Sequence, residues 1–537
     1  MTDMQGTPSD PLAPPRHPPQ VTPDVTPGAG TSYNASEVLY HNLDAGRGAK
    51  VAVQCEDRSL TYAELADLAS RFGNALLGLG LKPGDRVLML MHDGPAFPAT
   101  FFGALRAGLV PIPVNTILPP DNYAYFLNDS GARAAVVSAS LHPVLASVCA
   151  NCPGLEYVLV IDGILPEGTH SLEALAAAAP ATLDPAPTGP GDTAFWLYSS
   201  GSTGFPKGVV HTHKDIRCTT RNYAEGVLGI QEGDVCFTAS KTFHAYGLGN
   251  GLTFPFSVGA STVYLPGRPT PAAVYAAIER FRPTLFFASP TLYTMMLADP
   301  EPHDLSSVRL CASAAEALPP EIYRRWKDRF GVDILDGIGS TEMLHIFLSN
   351  RPGMIRPGSS GLPVPGYEAR IEDFDGREVP RGESGNLLIR GGSAAREYWN
   401  QPEKTAKTMR GEWMFTGDRY HQDEDGFFWY EGRSDDMFKV SGQWVSPIEV
   451  ENTLLEHPAV LECAVVIGTD GDGLQRTQAF VTLQEGYAAC EELSQALQSH
   501  VKGRLAPYKY PRKIHFVDEL PKTSTGKIQR FRLRDAG

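Results

Sequence analysis

The chain has 537 residues, of which 42% are hydrophobic and 20% charged, and carries a formal net charge of −15. A single core stops growing near ~250–300 residues, so more than one domain is expected. The acidic balance repels nucleic-acid phosphates and no apolar run reaches the ~18–20 residues that span a bilayer, so neither nucleic acid nor membrane is an expected partner.

Residues 1–32 are expected to form a disordered, proline-rich tail, with Pro14, Pro15, Pro18 and Pro19 close together. They lack the basic stretch and apolar run of a secretory signal. Thr61 and Glu64 make a capping-box pattern that predicts a helix through Leu77. Gly84–Leu90 predicts a turn and a buried strand. The next helix carries Phe101 and Leu105 and ends near Gly108, and Val110–Val114 is extended. Eight cysteines in so long a chain do not suggest a disulfide framework, and Cys149-Ala-Asn-Cys152 has no matching second pair for a zinc site. A reduced, cytoplasmic protein is the expectation. Strand and helix alternate to about residue 350, which argues for parallel α/β sheets.

The most informative stretch is Tyr198-Ser-Ser-Gly-Ser-Thr-Gly-Phe-Pro-Lys-Gly208, directly after the strand-like run Ala194–Leu197. Small residues let backbone N–H groups approach an anion closely, hydroxyls add donors and Lys207 adds positive charge. That is chemistry suited to a polyphosphate. The GxxxxGK[ST] pattern does not fit, which disfavours a kinase or GTPase. His211-Thr-His213, just beyond, is weak as a pair of metal ligands.

From residue 355 to 434 the pattern becomes glycine-punctuated strands: Tyr367–Glu372, Gly385–Arg390, Trp413–Thr416 and Phe427–Tyr430. A further unit, 435–537, holds the strands Ala464–Ile467 and Gln478–Thr482 and a helix over Glu491–Leu505. The turn Gly432–Asp436 is the candidate hinge. There is no internal repeat.

Further dense segments recur in a fixed order: Lys241–Gly249, Ser313–Pro319, Asp336–Glu342, Phe415–Asp418, Gly432–Asp436 and Pro521–Ile528. With them and the Ser/Gly-rich loop, the chain from residue 33 onward resembles the adenylate-forming superfamily of acyl- and aryl-CoA synthetases, adenylation domains and luciferases. Within it the chain is similar to the benzoate-CoA ligase group, through Tyr198–Gly204, Ala245–Asn250 and the long match Asp336–Asn350. The resemblance implies an α/β fold. A large N-terminal domain, 33–434, would hold two α/β sheet subdomains plus the β-rich one, and a small mobile C-terminal α+β domain would cover 435–537. It also implies two half-reactions: a carboxylate attacks the α-phosphate of ATP, then the thiol of coenzyme A attacks the acyl-adenylate. ATP, Mg²⁺ and coenzyme A are the implied cofactor and co-substrates, and an aromatic carboxylic acid is the implied substrate.

Site roles follow from the same resemblance. Ser199, Ser200, Gly201, Ser202, Thr203, Gly204 and Lys207 would hold the β- and γ-phosphates, Thr341 would donate to the α-phosphate and Glu342 would hold Mg²⁺. Asp418 and Arg433 would take the ribose, and adenine would lie between Ala315, Glu316, Ala317 and Asp336, Gly337, Ile338. Lys527 would bridge carboxylate and α-phosphate in the first transition state. The acyl pocket would comprise Phe243, His244, Ala245, Tyr246, Ala288, Gly337, Ile338, Gly339 and His345, with His345 donating to the carboxylate or to a ring substituent. Asp435 is the matching hinge position, and rotation about it would bring Lys439, Ser441, Gly442 and Trp444 to the adenylate and the pantetheine channel.

The chain departs from the group's pattern where His244 replaces a common phenylalanine and Ala315 a common glycine, the latter tolerable if φ is negative. Lys527, set in Pro521-Lys-Thr-Ser-Thr-Gly-Lys527, resembles a target of lysine acetyltransferases. A monomer or homodimer is expected. Three alternatives stay open at this level: ligation of another small cyclic or aliphatic acid, loading of a carrier protein, and nucleotide binding without catalysis.

Overall fold

The computed structural model describes residues 32–199, 206–434, 436–440, 443–469, 475–522 and 528–534, with the backbone alone for Lys439 and Trp444. The predicted tail therefore falls outside the described residues but for Ser32.

The N-terminal half builds two sheets from alternating strands and helices. The first is wholly parallel, in the order Val110–Pro113, Arg86–Leu90, Ala134–Ser138, Tyr157–Ile161, His170–Ser171. Its strands are almost continuous apolar runs because helices cover both faces. The helix Tyr62–Gly78 begins where the capping box predicts: the Thr61 hydroxyl accepts from Glu64 N–H, and Glu64 Oε2 accepts from Thr61 N–H at 2.8 Å.

The second sheet has nine strands. Its interior run is parallel, in the order Ile334–Gly339, Leu310–Ser313, Leu285–Ala288, Val235–Thr238, Ser261–Tyr264, Val51–Cys55. Antiparallel strands flank it at Arg58–Thr61, Ile346–Ser349 and Leu362–Pro363. The register aligns Ala288 with Ser313 and Ser313 with Asp336. Hence the carboxyl ends of neighbouring strands lie at one edge, the position where open α/β sheets bind ligands.

One segment breaks the predicted alternation. The Ser/Gly-rich loop does not lead from a strand into a helix. It joins two antiparallel strands, Thr193–Ser199 and Lys207–Thr212, with Glu397–Tyr398 added to the second. Both faces of this hairpin are buried. Phe195 and Leu197 pack into one core cluster, and Trp196 and Val210 into another beside the parallel sheet.

The β-rich region is an antiparallel sheet of Tyr367–Glu372, Gly385–Gly391, Trp413–Gln422, Met409–Arg410 and Phe428–Arg433. Beyond residue 436, a short hairpin pairs Phe438–Val440 with Gln443–Val445. A second sheet of Val460–Thr469, Gln475–Leu483 and Lys513–Phe516 packs with the helices Pro447–Leu455 and Glu491–Lys502. This part has its own core, including Val450, Leu454, Val465, Val481, Leu497 and Val501. The helix ends at Lys502, three residues before the predicted Leu505.

Candidate active site

Polar side chains from distant parts of the chain converge on Glu342. Its Oε1 accepts from the Tyr398 hydroxyl at 2.7 Å and from Ser199 Oγ at 3.5 Å, and Lys207 Nζ lies 3.8 Å away. Ser199 and Lys207 are register partners at the mouth of the hairpin, so the two stems of the predicted phosphate loop both reach this carboxylate. Lys207 Nζ sits 4.2 Å from the centre of the Tyr398 ring, a cation–π contact. Burial lowers the Lys207 pKa and Glu342 pulls it back up. Burial, and then the charge of Glu342, raise the Tyr398 phenol, which keeps it a proton donor. Ser200, Gly201, Ser202, Thr203 and Gly204 lie outside the described residues.

Glu342 sits in the 3₁₀ turn Thr341–Met343, whose backbone is anchored one carbonyl at a time. His211 Nε2 lies 2.8 Å from Thr341 O, Ala395 N–H donates to Glu342 O at 2.7 Å, and Ser393 Oγ donates to Met343 O at 2.7 Å. Leu344 then exits at φ +65°, unusual for a branched residue.

Asp418 and Arg433 are cross-strand partners, and Arg433 Nη1 donates to Asp418 Oδ1 at 3.2 Å and to Thr416 O at 3.0 Å. The pair presents acceptors and donors together, as a ribose diol requires. Ala315, Glu316 and Ala317 follow the strand Leu310–Ser313, while Asp336, Gly337 and Ile338 lie in the neighbouring strand. Glu316 Oε2 accepts from Thr291 Oγ1 at 3.0 Å. The Asp336 carboxyl is buried, which drives its pKa well above the usual range, and Oδ2 accepts from Leu318 N–H at 3.3 Å. Its side chain thus ties the 314–318 turn to the next strand. Ala315 has φ +81°, so the condition under which its methyl was expected to be tolerable does not hold. The residue occupies the left-handed region and carries strain of about 1–2 kcal/mol.

The predicted acyl residues gather at the same sheet edge. Ala288 ends its strand fully buried. The rings of Phe243 and His244 meet edge-on at 4.6 Å. The loop before them is stapled to the first sheet: Asp93 Oδ1 accepts from Thr242 N–H at 3.2 Å and from its hydroxyl, and Lys241 Nζ lies 3.4 Å from Asp93 Oδ2. His345 is buried among Phe254, Tyr223 and Tyr246, at ring separations of 4.5, 5.1 and 5.5 Å.

Two glycines make room for His345. A Cβ on Gly249 would come within 2.4 Å of its ring, and one on Gly339 within 2.5 Å of its carbonyl oxygen. Burial lowers the His345 pKa to about 3, so the ring is neutral. Its Nε2 lies 3.3 Å from Tyr246 O and therefore carries the proton, which leaves Nδ1 as a buried lone pair without a partner. With Nε2 donating to Tyr246 O, Nδ1 is an acceptor, whereas the expectation was that His345 donates to the carboxylate or to a ring substituent.

Tyr398, His211, Ser393 and Ala395 were not anticipated as site residues. The spacing of Lys207 and His211, four apart on one strand and so on one face, was the available signal for His211. His211 and His213 do not form a ligand pair. His213 Nδ1 accepts from Ala35 N–H at 3.0 Å, and burial holds its pKa down at about 4. Asp435, Ser441, Gly442 and Lys527 lie outside the described residues, as do the side chains of Lys439 and Trp444, whose backbones pair across the short hairpin. Lys522 and Ile528 form a bridge that closes the loop holding Lys527.

A nucleotide-type cradle at a sheet edge, followed by a separate small α/β unit, defines an adenylate-forming enzyme. The family described as AMP-binding enzyme matches residues 41–399, its C-terminal domain matches residues 449–527, and the chain belongs to this family. Among its relatives is the benzoate–CoA ligase of Thauera aromatica, 54% identical over 94% of this chain and 96% of that protein. The 4-hydroxybenzoate–CoA/benzoate–CoA ligase of Rhodopseudomonas palustris is 44% identical, with 94% of each chain covered. Of solved structures, an anthranilate CoA ligase in complex with anthranoyl-AMP superposes with a TM-score of 0.91 at 45% identity, covering 94% of this chain and 97% of that one. A benzoate CoA ligase from Burkholderia xenovorans gives 0.88 at 48%, covering 94% and 100%.

Proposed function

We propose that this protein is an ATP-dependent aryl-CoA ligase that activates benzoate or a substituted benzoate as the acyl-adenylate and transfers the acyl group to coenzyme A. One observation carries the reading. The Lys207–Tyr398–Glu342 cluster forms where the hairpin sheet meets the turn after Ile334–Gly339, beside a neutral pocket of aromatic and small residues at the carboxyl edge of the nine-stranded sheet.

The first half-reaction brings two anions together, since a carboxylate oxygen must attack Pα while the bond to pyrophosphate breaks. Cations and donors already in place screen that approach. Lys207 supplies positive charge next to the phosphate-loop stems, and Thr341 adds a hydroxyl. Among the described residues no group of three or more His, Cys, Asp or Glu could hold a metal alone. A single carboxylate, Glu342, instead leaves coordination positions for phosphate oxygens and water, which fits Mg²⁺. Bound there, Mg²⁺ would neutralise phosphate charge. Asp418 and Arg433 orient the ribose, and the 315–317 turn and the 336–338 strand flank adenine.

Lys527 reaches the carboxylate and Pα in this step. Domains 33–434 and 435–537 then rotate about Asp435, and Lys439, Ser441, Gly442 and Trp444 replace it at the adenylate. In the second half-reaction the sulfur of coenzyme A attacks the acyl carbon, AMP leaves and the thiol proton passes to solvent. Acetylation of Lys527 removes its charge and would switch off the first step alone. We further place the enzyme in the cytoplasm, as a monomer or homodimer.

Within that reading, one observation favours a ring-substituted benzoate. The bare Nδ1 of His345 offers a buried acceptor that a ring amino or hydroxyl group would satisfy.

Acid-driven exchange of labelled pyrophosphate into ATP tests the proposal. Benzoate, hydroxybenzoates and anthranilate are expected to drive it above cyclohexane and short-chain acids. Supplying coenzyme A is expected to yield thioester and AMP, and a holo carrier protein to yield none. AMP formed with no acid at all would sink the reading.

A further inference from the structure

His211 and Asp215 are fully buried, yet no step above uses them. His211 Nδ1 lies 3.0 Å from Asp215 Oδ2, and Nε2 lies 2.8 Å from the carbonyl oxygen of Thr341. Each ring nitrogen faces an oxygen. A carbonyl can only accept, so Nε2 carries a proton. The Asp215 carboxylate already accepts from Thr212 N–H at 2.9 Å and from the Thr212 hydroxyl at 2.8 Å. Its Oδ2 also faces His211 Nδ1, so one carboxyl group holds both the Thr212 cap and the ring. The ring also stacks on Phe195, its cross-strand partner, at 5.3 Å, which fixes the imidazole plane.

We propose that Asp215 and His211 form a positioning pair, in which Asp215 orients the ring and His211 Nε2–H grips the Thr341 carbonyl and thereby sets Glu342 beside Ser199 and Lys207. The geometry gives this pair a lever that the other anchors of the turn lack. His211 lies on the same strand as Lys207, four residues on, so the strand that closes the phosphate loop also holds the turn carrying Glu342. Thr341 O accepts from Leu344 N–H too, at 3.0 Å, which makes it the pivot of the turn. The inference rests on the proposed role of Glu342 toward Mg²⁺ and ATP. It adds that a buried hydrogen-bonded pair behind the site, touching neither, decides where that carboxylate stands.

The first test is nitrogen NMR of the full-length protein labelled at histidine, with the His211→Gln spectrum assigning the resonance. Nε2 of His211 is expected to carry a proton held in a hydrogen bond. The second test is kinetic. His211→Leu is expected to raise the half-saturating Mg²⁺ concentration by about 10–100-fold, the usual cost of losing an outer partner of a metal ligand, with the KM for benzoate unchanged. His211→Gln, which keeps one donor for the carbonyl, is expected to recover most of that loss.

An Nε2 that carries no proton would overturn the proposal. So would a Leu variant with an unaltered Mg²⁺ requirement, or losses shared equally by Mg²⁺, ATP and benzoate that Gln does not rescue. Failure of the ligase reading itself looks different: wild-type protein would show no acid-dependent exchange, whatever its NMR spectrum.

Discussion

The region around Glu342 and the region beyond residue 436 hold their functional groups in opposite ways. Around Glu342, contacts come from segments at least 50 residues apart, and three of them end on backbone carbonyls. Each group is fixed by the rest of the large domain. Beyond residue 436 the flanks of the Lys527 loop are tied within their own unit: Lys522 Nζ to Glu462 at 2.8 Å, Arg530 to Glu451 at 2.8 Å and Arg534 to Asp436 at 2.6 Å. One region is a socket assembled from the fold, and the other is a tool mounted on its own handle. The two-step reaction proposed above would use this division, with the socket staying while the tool is exchanged.

The largest expected effect separates the two regions directly. Lys527→Ala is expected to cut acid-dependent pyrophosphate exchange by about 10²–10³-fold, the scale of losing one transition-state donor. Thioester formation from synthetic benzoyl-adenylate and coenzyme A is expected to survive. If both half-reactions fall together, the lysine belongs to the socket and the comparison fails.

Next in size is the handle. Arg530 packs against Glu451, whose Oε1 also accepts from Val465 N–H at 2.7 Å. Arg530→Met strands a buried carboxylate, and such breaks cost about 3–5 kcal/mol. Limited proteolysis in rising urea is expected to show early loss of the C-terminal unit, with the Glu451→Gln/Arg530→Met pair largely restored. Equal loss in both variants would mean that the ion pair does not hold the handle.

The socket has its own weakness in acid. The His345 pKa is about 3 and that of His213 about 4 in the folded chain, against an ordinary 6.5, and burial is the cause in both. Between those values the unfolded chain binds more protons than the folded one, so stability rises with pH across that window. It is full above about 6.5 and is lost as pH falls toward 4 and then 3. Urea midpoints measured against pH are expected to fall in that direction, and His345→Leu to flatten part of the slope. A wild-type midpoint that is level from neutral pH to pH 4 would show that neither ring is held neutral.

These two regions were also unequally legible in the sequence. Local signals were sound: Thr61 and Glu64 made the cap they promised, and Tyr367–Glu372 has its predicted bounds. The strand from Trp413 was expected to stop at Thr416 and runs to Gln422, because its polar end is held by pairing with Phe428–Arg433 and not by its own hydrophobicity. Ser199, Lys207 and Glu342 were named from motifs, and the structure brings them together. Tyr398 and His211 were missed because their meaning lies in what folds onto them. A tyrosine 56 residues from Glu342 and a histidine 130 residues from Thr341 carry no local mark of those partners.

Ala315 gives the smallest and most discriminating prediction. It is exposed and sits at φ +81°, so its methyl gains little by packing while its backbone pays for the left-handed region. Ala315→Gly relieves about 1–2 kcal/mol of strain but loosens the unfolded chain by about 0.4–1 kcal/mol. The net gain should be about 0.5–1 kcal/mol, read as a small rise in Tm. If the socket is rigid because its parts hold one another, that gain should leave the KM for ATP unchanged, since Asp336 and Leu318 still pin the turn. A variant that is more stable but binds ATP more weakly would show that the strained alanine shapes the adenine wall itself, and rigidity would then be local at this turn and not a property of the assembled edge.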